Sequence, residues 1–178
     1  MFWRGPVVGA SSEAEKFMGE TPEEWLGPYL MGKGWHLATA ESCTGGLIAH
    51  RITNVPGSSN YFERGFITYS NEAKAEHLGV PEKILIEYGA VSEPCARAMA
   101  DGVRKTANCE LGLSVTGIAG PGGGVPDKPV GTVYMAVSHP SGLSCRHFVF
   151  EGGRQEVKEQ TAEAALTMLR ETILGEKG

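Results

Sequence analysis

Three shortages narrow the field before any motif is read. No uninterrupted apolar run approaches the ~20 residues that a membrane-spanning helix needs. With 41% hydrophobic and 21% charged residues among 178, the chain reads as globular, neither membrane-embedded nor disordered. Cysteine is sparse: Cys43, Cys95, Cys109 and Cys145 form no C-x-x-C pair. That excludes the common zinc-ligand spacings and a disulfide framework, and reduced thiols in the cytoplasm are the simplest account. Positive charge is short as well, with 16 Lys+Arg against 21 Asp+Glu and a net charge of -5. A surface that neutralises many phosphates of a duplex is therefore not expected, so nucleic acid and membrane are both set aside as partners. The first ten residues carry one arginine, then Gly-Pro and a polar stretch, and lack the apolar region of a secretory signal.

Glycine is what the chain has in excess: 25 residues, about twice the ~7% average. Residues 1–20 are unpatterned and read as a weakly ordered extension, with some helical character over 12–18; the domain is expected over 21–178. Thr21-Pro22-Glu23-Glu24 supplies a cap, a proline at the first helical position and two first-turn acids, which predicts a helix to Gly32 or Gly34. Residues 35–41 read as a strand meeting the turn Ser42-Cys43-Thr44-Gly45-Gly46, after which Leu47, Ile48, Ile52 and Val55 recur at helical spacing. A strand over 61–69, a helix capped by Ser70 or Asn71 and running to Leu78, a short helix over 81–88 and a longer one opened by Ser92-Glu93-Pro94 follow. An apolar strand over 111–115 runs into a glycine-rich loop over 116–124, and strands over 130–138 and 143–150 form a hairpin around His139-Pro140-Ser141-Gly142. Residues 153–174 place Ala162, Ala165, Leu166, Leu169 and Ile173 on one helical stripe. Helices alternating with strands, then a meander, predict an α/β fold: a three-layer α/β/α sandwich on a mixed β-sheet of about five strands, with ligands beyond the strand ends.

Standard motifs are absent. Gly27 to Lys33 nearly satisfies the P-loop spacing, but Gly34 stands where a magnesium-binding hydroxyl belongs and the segment lies in a predicted helix. Neither G-x-G-x-x-G, H-E-x-x-H, G-x-S-x-G nor S-x-x-K occurs, and His36, His50, His77, His139 and His147 have no ligand spacing. Neither a metal nor a cofactor is expected.

Two loops and a lysine carry the chemistry. In Glu41 to Gly46 a hydroxyl sits at a strand end, where backbone N–H groups entering a helix can hold an oxyanion; equally, Ser42 or Thr44 is a plain N-cap. Cys43 is an alternative nucleophile or a small buried hydrophobe. The loop over 116–124, with Gly117, Gly120, Gly122, Gly123 and Gly124, suits an anion such as phosphate or is a flexible turn. Residues 125–129 form a lid or a solvated connection. Lys74 falls in the first turn of a helix, where the macrodipole opposes its charge. At the ordinary lysine pKa of ~10.4 the amine is only about 0.04% neutral at pH 7, roughly 4.6 kcal/mol from acting as a base, so burial must assist unless it is a surface lysine. Tyr69 is either a ligand contact or an edge aromatic.

Ala40-Glu41-Ser42-Cys43-Thr44-Gly45-Gly46, Pro56-Gly57-Ser58-Ser59, Phe66-Ile67-Thr68-Tyr69-Ser70-Asn71-Glu72-Ala73-Lys74, Gly89-Ala90-Val91-Ser92-Glu93 and Thr116-Gly117-Ile118-Ala119-Gly120-Pro121 occur in this order. Together they closely resemble the CinA C-terminal domain family, the nicotinamide-nucleotide amidohydrolases or NMN deamidases, over about residues 21–174. The resemblance implies hydrolysis of the carboxamide of nicotinamide mononucleotide to nicotinic acid mononucleotide and ammonia, a step in pyridine-nucleotide salvage. It implies Ser42 as nucleophile and Lys74 as its base, with Tyr69 and Thr116 at the active site. N–H groups of Cys43, Thr44 and Gly45 would hold the oxyanion. Gly117, Gly120, Gly122, Gly123 and Arg154 would hold the substrate's phosphate, with Arg146 the weaker choice. A homo-oligomer and a stand-alone form are further expectations of the resemblance. A nucleotide-binding or regulatory module with weak turnover is the alternative on the same fold.

Overall fold

The alternation of apolar residues along the strands decides which helices lie on which face. In the computed structural model, which describes residues 20–175, five strands form one open sheet in the order β2-β1-β3-β4-β5. They are β1 (Leu37–Glu41), β2 (Phe62–Ile67), β3 (Leu111–Gly117), β4 (Thr132–His139) and β5 (Gly142–Val149). β1 pairs in parallel with both β2 and β3, whereas β3–β4 and β4–β5 are antiparallel. Among the described residues the helices are α1 (Pro22–Lys33), α2 (Leu47–Thr53), α3 (Asn71–Leu78), α4 (Glu82–Tyr88), α5 (Glu93–Ala107) and α6 (Arg154–Leu174), with a short 3-10 turn at Ser58–Asn60. The expectations for residues 1–20 fall, apart from Glu20, outside the described residues.

Leu37, Leu111, Leu113, Val115, Val133, Met135 and Val137 send large side chains to one face, where they meet Trp25, Leu26 and Leu30 of α1, Ile48 and Ile52 of α2, and Val157, Leu166 and Leu169 of α6. The opposite face is lined by small residues. Ala38 and Ala40 pack with Leu78, Leu85, Cys95, Met99 and Val103, and Ala136 packs with Ala96 and Ala100 of α5. Period-2 alternation of large and small residues thus yields the three layers, with α1, α2 and α6 on one side and α3, α4 and α5 on the other. The expected α/β/α sandwich on a mixed five-stranded sheet is the observed fold.

Local signals set the element boundaries. Thr21 accepts from the Glu24 N–H and Glu24 answers at the Thr21 N–H (2.9 Å), a reciprocal cap before Pro22. β3 is two residues longer than its apolar run, because Thr116 and Gly117 still pair with Tyr134 and Val133. The hairpin turn is one of the tightest, with His139 opposite Gly142.

Gly102 on α5 brings that helix against α3: a Cβ there would overlap the Leu78 carbonyl oxygen and also press on the Leu78 side chain. In an exposed helix Gly→Ala gains up to about 1 kcal/mol. Here the obstacle is backbone, which cannot rotate away, so overpacking wins. Gly102→Ala is expected to destabilise the fold by about 1–3 kcal/mol in urea denaturation, since α3 must shift.

Candidate active site

β1 lies between β2 and β3, so the chain leaves it to one side and later returns on the other; its C-terminal end is the switch point where α/β sheets open a crevice. Ser42 stands there. Its N–H donates to the Val115 carbonyl of β3 (3.1 Å), while Thr68, just past β2, donates its N–H to the Glu41 carbonyl (2.8 Å). The parallel ladders therefore run directly into the site and hold three strand ends around one hydroxyl.

The turn after Ser42 differs from the expected N-cap. α2 starts only at Leu47, its N-cap is Gly46 at φ 102°, and that cap supplies no side-chain hydrogen bond. Glu41 does the capping instead. Its carboxylate, 1% exposed, accepts from the Thr44 hydroxyl (2.6 Å) and from the N–H groups of Gly46 (3.1 Å), Ile48 (3.1 Å) and Ala49 (2.8 Å). Those donors are thus closed to an oxyanion. The Gly45 N–H is closed as well, because it donates to the Ser42 carbonyl (3.1 Å). Of the three expected oxyanion donors, Cys43 and Thr44 keep N–H groups bonded to no other residue among those described. The role of Glu41 escaped the sequence reading, since its carboxylate looks like any strand-end acid until the helix folds back over it. Glu41→Ala leaves the buried Ile48 N–H, the part-buried Gly46 and Ala49 N–H groups and the buried Thr44 hydroxyl without this acceptor and is expected to cost about 2–4 kcal/mol, read as a lower urea midpoint.

Lys74 enters from α3, which begins as expected: the Ser70 hydroxyl accepts from the Ala73 N–H (3.0 Å). Its side chain is 1% exposed, and Nζ hydrogen-bonds the Thr68 carbonyl (2.7 Å) and Ser42 Oγ (3.1 Å). The surface-lysine reading is therefore excluded. None of the described carboxylates pairs with this amine. Burial pulls its pKa below the ordinary lysine value. The neighbouring thiols do not restore the charge, since burial drives Cys43 up to about 12 and Cys95 up to about 11, so both stay neutral near pH 7. Nζ donates to the Thr68 carbonyl and stands at hydrogen-bond distance from Ser42 Oγ, to which an ammonium donates and from whose hydroxyl a neutral amine can accept. The same elevation disfavours Cys43 as nucleophile, and its side chain is packed into the core with Ile48 and Val115.

The remaining expected residues divide into two groups. Arg154, at the start of α6, donates to the Tyr69 hydroxyl (2.7 Å) and to the Gly120 carbonyl (2.8 Å), tying the end of β2 to the glycine loop. Thr116 is buried and donates its hydroxyl to the Ala90 carbonyl (2.8 Å). Gly117 belongs to β3, where a Cβ would press on Val133 and the Thr132 carbonyl, and a Cβ on Gly120 would press on Val130; both are glycines for packing reasons. Gly122 faces open space and Gly123, at φ 91°, lies near Ile118. Arg146 is elsewhere, on β5 and paired with Glu171. Residues 125–129 are fastened: Val125 and Lys128 exchange backbone hydrogen bonds (2.9 and 3.0 Å), and Lys128 Nζ donates to the Tyr88 carbonyl (2.9 Å). Lys158 was missed. One turn beyond Arg154, its Nζ lies 3.8 Å from where a Gly45 Cβ would stand. Among the described residues no group of three or more His, Cys, Asp and Glu side chains is arranged to hold a metal ion, and no helix is long and apolar enough to cross a membrane.

Comparison with known proteins matches residues 20–173 to the family model described as the CinA C-terminal domain. The chain is 56% identical over 142 residues to a CinA-like protein of Geobacter sulfurreducens, covering 80% of this chain and 34% of the relative. It is 51% identical over 150 residues to one of Syntrophobacter fumaroxidans, covering 84% and 35%. The chain thus spans about a third of the length of these curated relatives. Among solved structures it resembles the competence/damage inducible protein CihA from Agrobacterium tumefaciens, with 40% identity, a TM-score of 0.78 and coverage of 85% of this chain and 95% of that one. It also resembles the competence damage-inducible protein A (ComA) from Klebsiella pneumoniae, with 31% identity, a TM-score of 0.83 and coverage of 89% and 100%.

Proposed function

The chain belongs to the CinA C-terminal domain family, and from that premise we propose that it is an amidohydrolase that cleaves the carboxamide of nicotinamide mononucleotide by a Ser42–Lys74 mechanism. The observation that carries this reading is the buried 3.1 Å contact between Lys74 Nζ and Ser42 Oγ, at the C-terminal end of β1, with none of the described carboxylates on the amine. An amine so placed is disfavoured as a cation and is a base in reach of the hydroxyl.

Lys74 takes the proton of Ser42 as Oγ attacks the carboxamide carbon, and the C=O electron pair moves onto oxygen. The N–H groups of Cys43 and Thr44 are the donors available for that oxyanion. Collapse of the tetrahedral adduct breaks the C–N bond, with the Lys74 proton going to the departing nitrogen as ammonia. Lys74, neutral again, deprotonates a water that attacks the acyl-serine ester, and Oγ recovers its proton as the acid leaves. Thr116 and Glu41 act by holding the loops around this centre, Thr116 through the Ala90 carbonyl and Glu41 through the turn that carries Cys43 and Thr44.

Ammonia release from nicotinamide mononucleotide, compared with free nicotinamide and with the dinucleotide, tests the reading. Turnover of the mononucleotide is the expected result. Binding of the mononucleotide without ammonia release would instead favour a nucleotide-binding module, and neither binding nor turnover would reject both.

A further inference from the structure

Two cations beside Ser42, Arg154 and Lys158, are not used by the hydrolytic step. In a chain of net charge -5, Arg51, Arg64, Arg97, Lys105 and Arg146 are each paired with a carboxylate. Among the described residues Lys33, Lys83, Arg104, Lys128 and Arg170 have no carboxylate partner, and beside the Ser42 turn neither do Arg154, Lys158 and the buried base Lys74. Lys74 contacts only a carbonyl and a hydroxyl, Arg154 only the Gly120 carbonyl and the Tyr69 hydroxyl, and Lys158 has neither hydrogen bond nor ion pair among the described residues. The nearby acids make no ion pair with them: the Glu41 carboxylate accepts from Thr44 and three backbone N–H groups, and Glu156 accepts from the Gly153 N–H (2.6 Å).

Of the three cations beside the Ser42 turn, Lys158 is the half-buried one. It follows Arg154 by four residues on α6, so two like charges stand on one face of the helix, near the end where the macrodipole also opposes them. Each effect is unfavourable by a few tenths of a kcal/mol or more, and no acid at three or four residues' spacing relieves it. Its Nζ nevertheless sits over the turn that carries the nucleophile, 3.8 Å from the position of a Cβ on Gly45, which has no side chain to obstruct it. Lys74 and Lys158 both act electrostatically on the Cys43 thiol. Residues 42–45 close one turn, so Gly45 Cα lies within about 7 Å of Ser42 Cα, and one small molecule can reach both Ser42 and Lys158. An anionic group on that molecule neutralises a charge that the protein leaves bare.

We propose that Lys158 is the specificity-determining cation of this site, meeting the phosphate monoester of the substrate and so selecting a nucleotide amide over the corresponding nucleoside. The assignment rests on the amidohydrolase reading above for the identity of the substrate. It also changes the expected division of labour. Arg154, held by Tyr69 and Gly120, shapes the mouth of the crevice, while Lys158 has all of its donors available to an anion.

The test separates binding from turnover by working in a Ser42→Ala background. Calorimetry measures the affinity of Ser42→Ala and of Ser42→Ala/Lys158→Ala for nicotinamide mononucleotide and for nicotinamide riboside, which lacks the phosphate. Removal of Lys158 should weaken the nucleotide about 10- to 100-fold and leave the riboside unchanged, and Lys158→Arg should restore most of the loss. Equal effects on both ligands, no effect on the nucleotide, or no measurable nucleotide binding to Ser42→Ala would overturn the assignment. If the wild-type chain releases no ammonia while the Lys158-dependent preference persists, the amidohydrolase reading fails and the anion site stands. If ammonia is released and Lys158→Ala affects nucleotide and riboside alike, the converse holds.

Discussion

Ser42→Ala is expected to reduce ammonia release from nicotinamide mononucleotide by on the order of 10⁴- to 10⁶-fold, the range seen when the nucleophile of a serine hydrolase is deleted. Fold and substrate binding should be largely kept. The substitution removes one hydroxyl at a strand end whose backbone stays tied to Val115, and Lys74 keeps its bond to the Thr68 carbonyl. Cys43→Ala is the informative companion. A thiol pushed up to about 12 is protonated throughout the physiological range, so its loss should lower stability through a small core void and leave the chemical step standing. Activity abolished in Cys43→Ala but retained in Ser42→Ala would move the nucleophile by one residue and sink the scheme. Steady-state ammonia assays beside thermal melts of the two variants decide it.

Lys74→Met carries the second large effect, and its sign differs between activity and stability. Without the amine, Ser42 has no base, and turnover should fall by about 10³-fold or more. Lys74→Arg should be equally inactive, because a guanidinium cannot deprotonate near neutral pH. Stability should move the other way. Burial holds the Lys74 pKa in the folded chain below the ordinary lysine value of ~10.4, so between those two values the unfolded chain binds a proton that the folded chain does not. Stability of the wild type therefore rises with pH through that window, by at most about 1.4 kcal/mol per pH unit, is complete above the unfolded value and is lost as pH falls to the folded one. Methionine fills similar space with no charge to desolvate. Lys74→Met should thus be more stable than the wild type at neutral pH, with an advantage that shrinks as pH approaches ~10. Urea titrations over a pH series measure the difference, and a constant gap would show that the folded amine titrates normally. By the same cause, wild-type kcat/KM should rise with pH until Lys74 is neutral in the folded chain.

Much of the architecture was legible because it rests on short-range chemistry. The α1 cap, the Ser70 cap of α3, the Ser92-Glu93-Pro94 start of α5 and the tight β4–β5 turn each depend on residues within a few positions of one another. The turn after β1 misled, because glycine and hydroxyl residues signal a cap equally well whether they or a preceding carboxylate supply it. Glu41 won since it is buried beside the helix start, where several donors needed one acceptor.

The order of its motifs resembles its family, and that resemblance, not the residue types alone, marked Ser42 as the expected nucleophile and Lys74 as the expected base. Whether that lysine is buried or a solvated cation depended on the fold, because its burial exists only after α3 packs on α5 at Gly102 and β1 settles between β2 and β3. Proximity of Lys158 to the Gly45 turn was likewise decided by packing between α6 and the sheet. Helical and strand periods act over a few residues and are written along the chain. Desolvation and unpaired charge depend on which distant segments share a space, and only the folded chain brings those together.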